Sequence, residues 1–255
     1  MDDGKRVQSI DRAVMMLKLF SETTRELKLT EIAERLDLHK STTFGILNTL
    51  KYHGLISQNE DNQKYSLGTY LLELGNILVN SMDIRGVAST VLNNIRNSLE
   101  ETVHLGMLEN FEVVYIDKQE STQSMRIFTT IGARNPAHCT GIGKAMMAYM
   151  DQEYLKTKLP DTLERFTEKT IVDKTQLLAQ FEEIRKNGYA LDEEERIEGL
   201  TCVAAPIFDH LGKVKYAISV SGPSVRMSDE KIQETILLVK NSAREISGKL
   251  GYIQR

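Results

Sequence analysis

The chain has 255 residues, 41% of them hydrophobic, and a formal net charge of -4, a size that suits two modest cores better than one large one. No apolar run approaches the ~20 residues of a membrane span, and the opening MDDGKRVQSIDR is acidic and polar where a secretory signal is basic and then apolar. The expectation is a soluble cytoplasmic protein with no membrane partner, with Cys139 and Cys202 as free thiols; the net charge gives no global argument for nucleic acid.

The first predicted element is a helix in SIDRAVMMLKLFSE, with Ser9 as its cap and Ala13, Met16, Leu17 and Phe20 at helical spacing. Next comes LTEIAERLDLHKSTTFGILNTLKYHGLI. Its first part predicts a short helix capped by Thr30, with Ile32, Ala33 and Leu36 on the apolar face. Its second part predicts another helix, with Thr43, Leu47, Leu50 and Ile46 turned inward. That leaves Ser41, Thr42, Phe44, Gly45, Asn48 and Thr49 facing out, flanked by Lys40 and Lys51. Two short helices around a tight turn, the second with a small hydrogen-bonding outer face, form the pattern of a helix-turn-helix.

Local charge supports that pattern. Residues 1–67 hold ten Lys/Arg and ten Asp/Glu, yet from Leu38 to Asn59 there is no acid. A helix that approaches phosphates must exclude carboxylates, whereas the outer face of an ordinary core helix need not. The following GLISQNEDNQKYSLG predicts a hairpin, Leu55 to Ser57 and Lys64 to Leu67, which would be the wing. Phe44 would touch a thymine methyl or pack against that wing.

TYLLELGNILVNSM places Leu71, Leu74 and Leu78 on one stripe of a connecting helix, Thr69 to Met82. Beyond it a helix (Ile84 to Glu101), strands at VHLGML, EVVYIDK and MRIFTTI, and helices at Gly143 to Met150 and Gln176 to Lys186 are predicted. Strands at TCVAAPIF and KVKYAISVSG and a last helix, Ser228 to Tyr252, complete the chain. This order predicts an α+β fold around a mostly antiparallel sheet. The boundaries expected are 1–68 for the winged helix, 69–82 for the linker helix and 83–255 for the larger domain.

Strand alternation in YAISVSG puts Ser219 and Ser221 on one face. If TCVAAP brings Cys202 to the same place, three small polar groups converge. The loop NPAHCTGIGK enters a helix near Gly141, so the N–H groups of Thr140 and Gly141 would offer a site for a carboxylate. Asp192 would accept from hydroxyl groups. Alternatively, the serines satisfy backbone groups, Cys202 is a small buried hydrophobe and Asp192 caps a turn. The run Asp192-Glu193-Glu194-Glu195 as a whole reads as a solvated face.

Three spaced segments resemble the IclR-type bacterial transcription regulators: LHKSTTFGILNTLKYHGLI, GARNPAHCTGIGKAMMA and GYALDEEERIEGLTCVAAPIFD. The resemblance covers nearly the whole chain. It implies a winged helix-turn-helix, a linker helix and an effector domain of GAF-like or profilin-like fold, with small-acid contacts at Thr140, Gly141, Asp192, Cys202, Ser219 and Ser221. It implies a homodimer or dimer of dimers on a palindromic operator in double-stranded DNA, with no cofactor and no enzymatic activity. Gly45 stands where many relatives carry an arginine, which removes a bidentate base contact.

Two rival readings use the same residues. A cysteine-dependent hydrolase would take Cys139 as nucleophile, with His138, His104 and Asp192 at hand. A metal-sensing regulator would use His138, Cys139 and Cys202, without the usual paired-ligand spacing.

Overall fold

Helical apolar spacing in the first third of the chain produces α1 (Gln8–Lys18), α2 (Leu29–Arg35) and α3 (Lys40–Tyr52). The computed structural model describes residues 7–21, 23–125, 127 and 129–253, in two units divided after Met82. In the first unit Met16, Ile32, Leu47 and Leu50 close a small core with Leu27, Ile56 and Tyr65. The hairpin follows as β1 (Ile56–Gln58) and β2 (Tyr65–Leu67), antiparallel with Ser57 opposite Ser66. Leu27 adds a third, one-residue rung to it: its N–H donates to the Tyr65 carbonyl at 3.0 Å and the Tyr65 N–H returns the bond at 2.8 Å. Between α2 and α3 the chain turns at Asp37 with φ of 49°, a conformation that aspartate tolerates better than most residues.

Two expected caps are corrected. Val7, not Ser9, occupies the capping position of α1, and Ser9 lies inside the helix. Lys28, not Thr30, precedes α2; its N–H donates to the Glu31 carboxylate at 2.6 Å, so an acid three residues on replaces the hydroxyl as the group that satisfies the end. Helix α4 (Tyr70–Asn80) comes next, and none of its side chains is buried.

The second unit is an antiparallel six-stranded sheet, β3 (Thr102–Glu109), β4 (Glu112–Gln119), β5 (Arg134–Pro136), β6 (Ala190–Glu193), β7 (Leu200–Phe208) and β8 (Val214–Pro223), in the order β5-β4-β3-β8-β7-β6. The α+β organisation expected is therefore observed. Helices α5 (Asp83–Leu99) and α9 (Asp229–Lys249) pack together over one face. Helix α6 (Gly141–Met147) lies on the other, backed by α8 (Lys174–Asn187), with α7 (Gln152–Lys158) between them in sequence. Both faces of the central strands are covered, and β7 is buried from Leu200 to Ile207.

MRIFTTI does not form the predicted strand in any residue that is described; Arg126 and Phe128 lie outside the described residues. The edge of β4 is taken instead by β5, with Val113 opposite Asn135. Thr129, within the MRIFTTI stretch, is held by His104 and Lys118. Helix α7 and strand β6 were not predicted. Both are short, and β6 lies in the acidic run read as a solvated face. That reading is corrected: Asp192 and Glu195 are buried, while Glu193 is exposed.

Candidate functional site

The outer face of α3 is built by default, because Thr43, Leu47 and Leu50 take the inner positions. Lys40, Ser41, Phe44, Gly45, Asn48, Thr49 and Lys51 are exposed and Thr42 is half-buried. Among these, Thr49 returns its hydroxyl to the Gly45 carbonyl at 3.0 Å. The Lys51 ammonium donates to Gln58 of the hairpin at 3.1 Å, which ties helix to wing. A Cβ on Gly45 would meet nothing within 4 Å. The stripe 41, 44, 45, 48 runs on to Tyr52, which is 86% exposed and edge-on to His53. Sequence reasoning passed over Tyr52, although its spacing of four from Asn48 was there to be read.

In the second unit the strand register assembles a polar row. Asp192 faces Cys202, Cys202 faces Ser221 and Ser221 faces Thr102. The neighbouring row is Ala190, Ala204, Ser219 and His104. Side chains directly opposite in antiparallel strands share a face, so all six of these polar groups share the face that α6 partly covers. The entry to α6 lies over the row: a Cβ on Gly141 would be 3.2 Å from Ala204 Cβ and 3.6 Å from Cys202 Cβ. The Thr140 hydroxyl turns back to the Pro136 carbonyl at 3.0 Å. Gly143 is required here, because a Cβ on it would collide with the Ala137 carbonyl.

The groups of this patch are buried and differ in how they are satisfied. Cys202 lies within hydrogen-bonding reach of Ser221 and Asp192, and burial pushes its thiol well above the usual range. The Ser219 hydroxyl makes no hydrogen bond to any described residue. His104 is held below its ordinary range, at about 4, by burial and then by the Lys118 charge; a neutral imidazole therefore faces Thr129 at 2.7 Å. Its ring is 4.8 Å from Tyr115. From Tyr115 a chain of polar contacts continues through Asn135 (3.4 Å) to Arg196 (3.2 Å), whose guanidinium lies over the Phe166 ring.

At the Asp192 end stands a fully buried lysine. Lys144 donates to Glu195, and the Glu195 N–H donates to Asp192 Oδ1 at 2.8 Å. Burial raises Asp192 to about 7, against the lowering effect of Lys144. Sequence reasoning assigned Lys144 no role and marked Glu195 only as part of the family-like segment and His104 only as a possible base; strand and helix placement brings out the buried pair and the neutral imidazole.

The arrangements needed for the rival readings are not formed. Burial pushes the Cys139 thiol up to about 12, and its Sγ faces the Pro136 carbonyl. His138 gives its Nε2 to the Glu164 carbonyl at 2.9 Å. Among the described residues no group of three or more His, Cys, Asp or Glu gathers for a metal ion.

Three helices and a wing, followed by a sheet with a polar patch under a helix entry, define a DNA-binding unit joined to a second, separately folded unit. Family models agree on both halves: residues 9–60 match the IclR helix-turn-helix domain and residues 77–248 the bacterial transcriptional regulator IclR C-terminal domain. The chain is 36% identical to the HTH-type transcriptional regulator KdgR of Escherichia coli (strain K12), over 96% of this chain and 94% of that one. It is 32% identical to the HTH-type transcriptional repressor AllR of the same strain, over 97% and 92%. The crystal structure of the Thermotoga maritima IclR superposes with a TM-score of 0.78 at 33% identity, over 97% of this chain and 100% of that one. The chain belongs to the IclR family of bacterial DNA-binding transcriptional regulators.

Proposed function

We propose that this regulator acts in the cytoplasm as a dimer, or a dimer of dimers, on a palindromic operator, and that a small organic acid in the second domain controls its affinity for DNA. The relationship to a repressor favours repression as the direction. No catalytic step belongs to this function. On the DNA side the support is the acid-free outer face of α3, with Ser41, Thr42, Phe44, Gly45, Asn48 and Thr49 towards the major groove and Lys40 and Lys51 towards phosphates. Dimerisation is supported by α4, where Leu74, Ile77 and Leu78 lie on one face and are all exposed. A contiguous apolar face of this kind marks an interaction surface.

The observation that carries the effector reading is the convergence of Cys202, Ser219, Ser221 and Asp192 in adjoining rows beneath Thr140 and Gly141, with the Ser219 hydroxyl free of described partners. Buried polar groups are normally paired. A patch that leaves the Ser219 hydroxyl available is suited to a ligand that completes it. The acid's carboxylate would sit by the N–H groups of Thr140 and Gly141 and its keto or hydroxyl oxygens by the serines. The test is calorimetric titration of keto, sugar and aromatic acids, paired with operator binding. Binding of one class with a change in operator affinity supports the reading; no heat from any class, or heat with unchanged operator affinity, removes it.

A further inference from the structure

We infer that Lys144 and Glu195 are positioning residues that hold Asp192 as a proton acceptor, so that each organic acid entering the patch is bound together with one proton taken from solvent. This rests on the acid-effector reading above and specifies the charge state in which that site works.

The inference starts from an imbalance. Lys144 has no exposed surface, Asp192 is 2% exposed and Glu195 6%, so two buried carboxylates share one buried ammonium. Lys144 donates to Glu195 Oε1, and Glu195 Oε2 is buried with no hydrogen-bond partner among the described residues. Glu195 thus takes the Lys144 hydrogen bond, while Asp192 keeps the backbone N–H groups of Glu195, at 2.8 Å, and of Arg196, with the neutral Cys202 thiol beside them. Asp192 is also the end of the polar row, directly opposite Cys202. A ligand carboxylate at the Thr140 and Gly141 N–H groups, over Cys202, therefore arrives about one strand spacing, roughly 5 Å, from Asp192. Two carboxylates in one dry site do not both stay ionised. The proton goes to Asp192, which then donates to the ligand instead of repelling it.

Other groups do not account for such a proton. Facing Asp192 are Lys144 from α6, Cys139 from the 3-10 turn before it, Cys202 from β7, Tyr115 from β4, and Glu195 and Arg196 from the turn after β6. Burial holds Tyr115 and Cys139 at about 12 and Cys202 well above its ordinary value, so none of them gains a proton near neutrality. Glu195, also raised by burial, is held by Lys144. Asp192, at about 7, is the group on the threshold.

The test uses the full-length protein with pyruvate, gluconate and benzoate, titrated calorimetrically at pH 8 in buffers of different ionisation enthalpy, and then from pH 5.5 to 9. The expected result is uptake of about one proton per bound acid at pH 8, with affinity falling about tenfold per pH unit above that and nearly flat below pH 6. Asp192→Asn should bind with no uptake and no pH dependence. Glu195→Gln should move the midpoint of the affinity profile to lower pH, because Lys144 then faces Asp192 alone; a merely structural Glu195 would change thermal stability and leave the midpoint in place. Binding with no proton uptake by the native protein, or an unmoved midpoint in a folded Glu195→Gln, overturns the inference while leaving the effector site standing. Failure of all three acids to bind removes the effector reading and the inference with it.

Discussion

His104 Nε2 and the Thr129 hydroxyl lie 2.7 Å apart at the opposite end of the polar patch from Asp192. The two ends answer pH in opposite senses. Native His104 stays neutral down to about 4, so from its ordinary ~6.5 down to that point the unfolded chain holds a proton that the native chain does not, and stability rises with pH. Native Asp192 keeps its proton up to about 7, so above the ordinary carboxylate range the unfolded chain has lost a proton that the native chain retains, and stability falls with pH. Each effect is on the order of 3 kcal/mol. In the native protein they offset one another between pH 4.5 and 6.5. Asp192→Asn should therefore unmask a rising stability and His104→Gln a falling one, measured as urea midpoints across that window. Parallel curves for the three proteins would show that neither group titrates as described.

Two glycines should respond in opposite ways to alanine. Gly45 has open space around it on an exposed helix face, so Gly45→Ala should stabilise the first unit by about 0.5–1 kcal/mol through helix propensity. Gly143 sits against the Ala137 backbone, and Gly143→Ala should cost at least the ~1–3 kcal/mol of ordinary overpacking. Chemical denaturation of both variants checks the pair.

On DNA, Asn48→Ala should cost ~1–3 kcal/mol and relax preference at one base pair. Lys51→Ala should weaken binding to all sequences and lower the salt slope by about one, with some added loss because Lys51 also steadies Gln58 in the wing. Tyr52→Ala, at the end of the same stripe, should also weaken operator binding. Fluorescence anisotropy over a range of salt distinguishes the three; an Asn48→Ala loss equal on operator and random DNA would take that residue away from the bases.

The linker helix gives a prediction about assembly. Leu74→Glu with Leu78→Glu should produce monomers, because both side chains are already exposed within one chain. Such monomers should lose the ~10²–10⁴ in avidity that two linked winged helices provide. Sedimentation with and without operator DNA reads this directly; a native protein that sediments as a monomer in both conditions would end the dimer account.

Ser219→Ala and Ser221→Ala should each reduce affinity for the acid by ~0.5–1.5 kcal/mol and leave DNA affinity without acid nearly unchanged. Ser221 already has Cys202 as a partner, so the larger loss is expected at Ser219. Titration calorimetry gives the ranking, and two unaffected variants would take the serines out of the site.

Periodicity made much of the architecture legible. Thr43, Leu47 and Leu50 were expected inward and are buried, since a 3.6-residue period leaves no other face for a core. Alternation likewise put Ser219 and Ser221 on one face, and the register adds that Cys202 lies directly across from Ser221. The same rules failed where a segment was short or its charges misled. Four acids in a row look solvated, but strand β6 turns Asp192 inward and the following turn buries Glu195 against a lysine 51 positions away. His104 was legible only as a possible base, because its neutral state depends on burial that only the assembled sheet supplies.

Glu101 illustrates how the second unit holds its own ends. It is 1% exposed and takes Arg226 in a two-pronged bond, Nε at 2.7 Å and Nη2 at 2.6 Å, with Lys231 at 3.1 Å. The chain just after the unit's first helix is thereby riveted to the entrance of its last, and those two helices pack side by side. A fold fastened in this way has a seam of its own. Gene fusion could cut it out whole and set it behind a different reader of DNA, which makes the second unit of this molecule a transferable part.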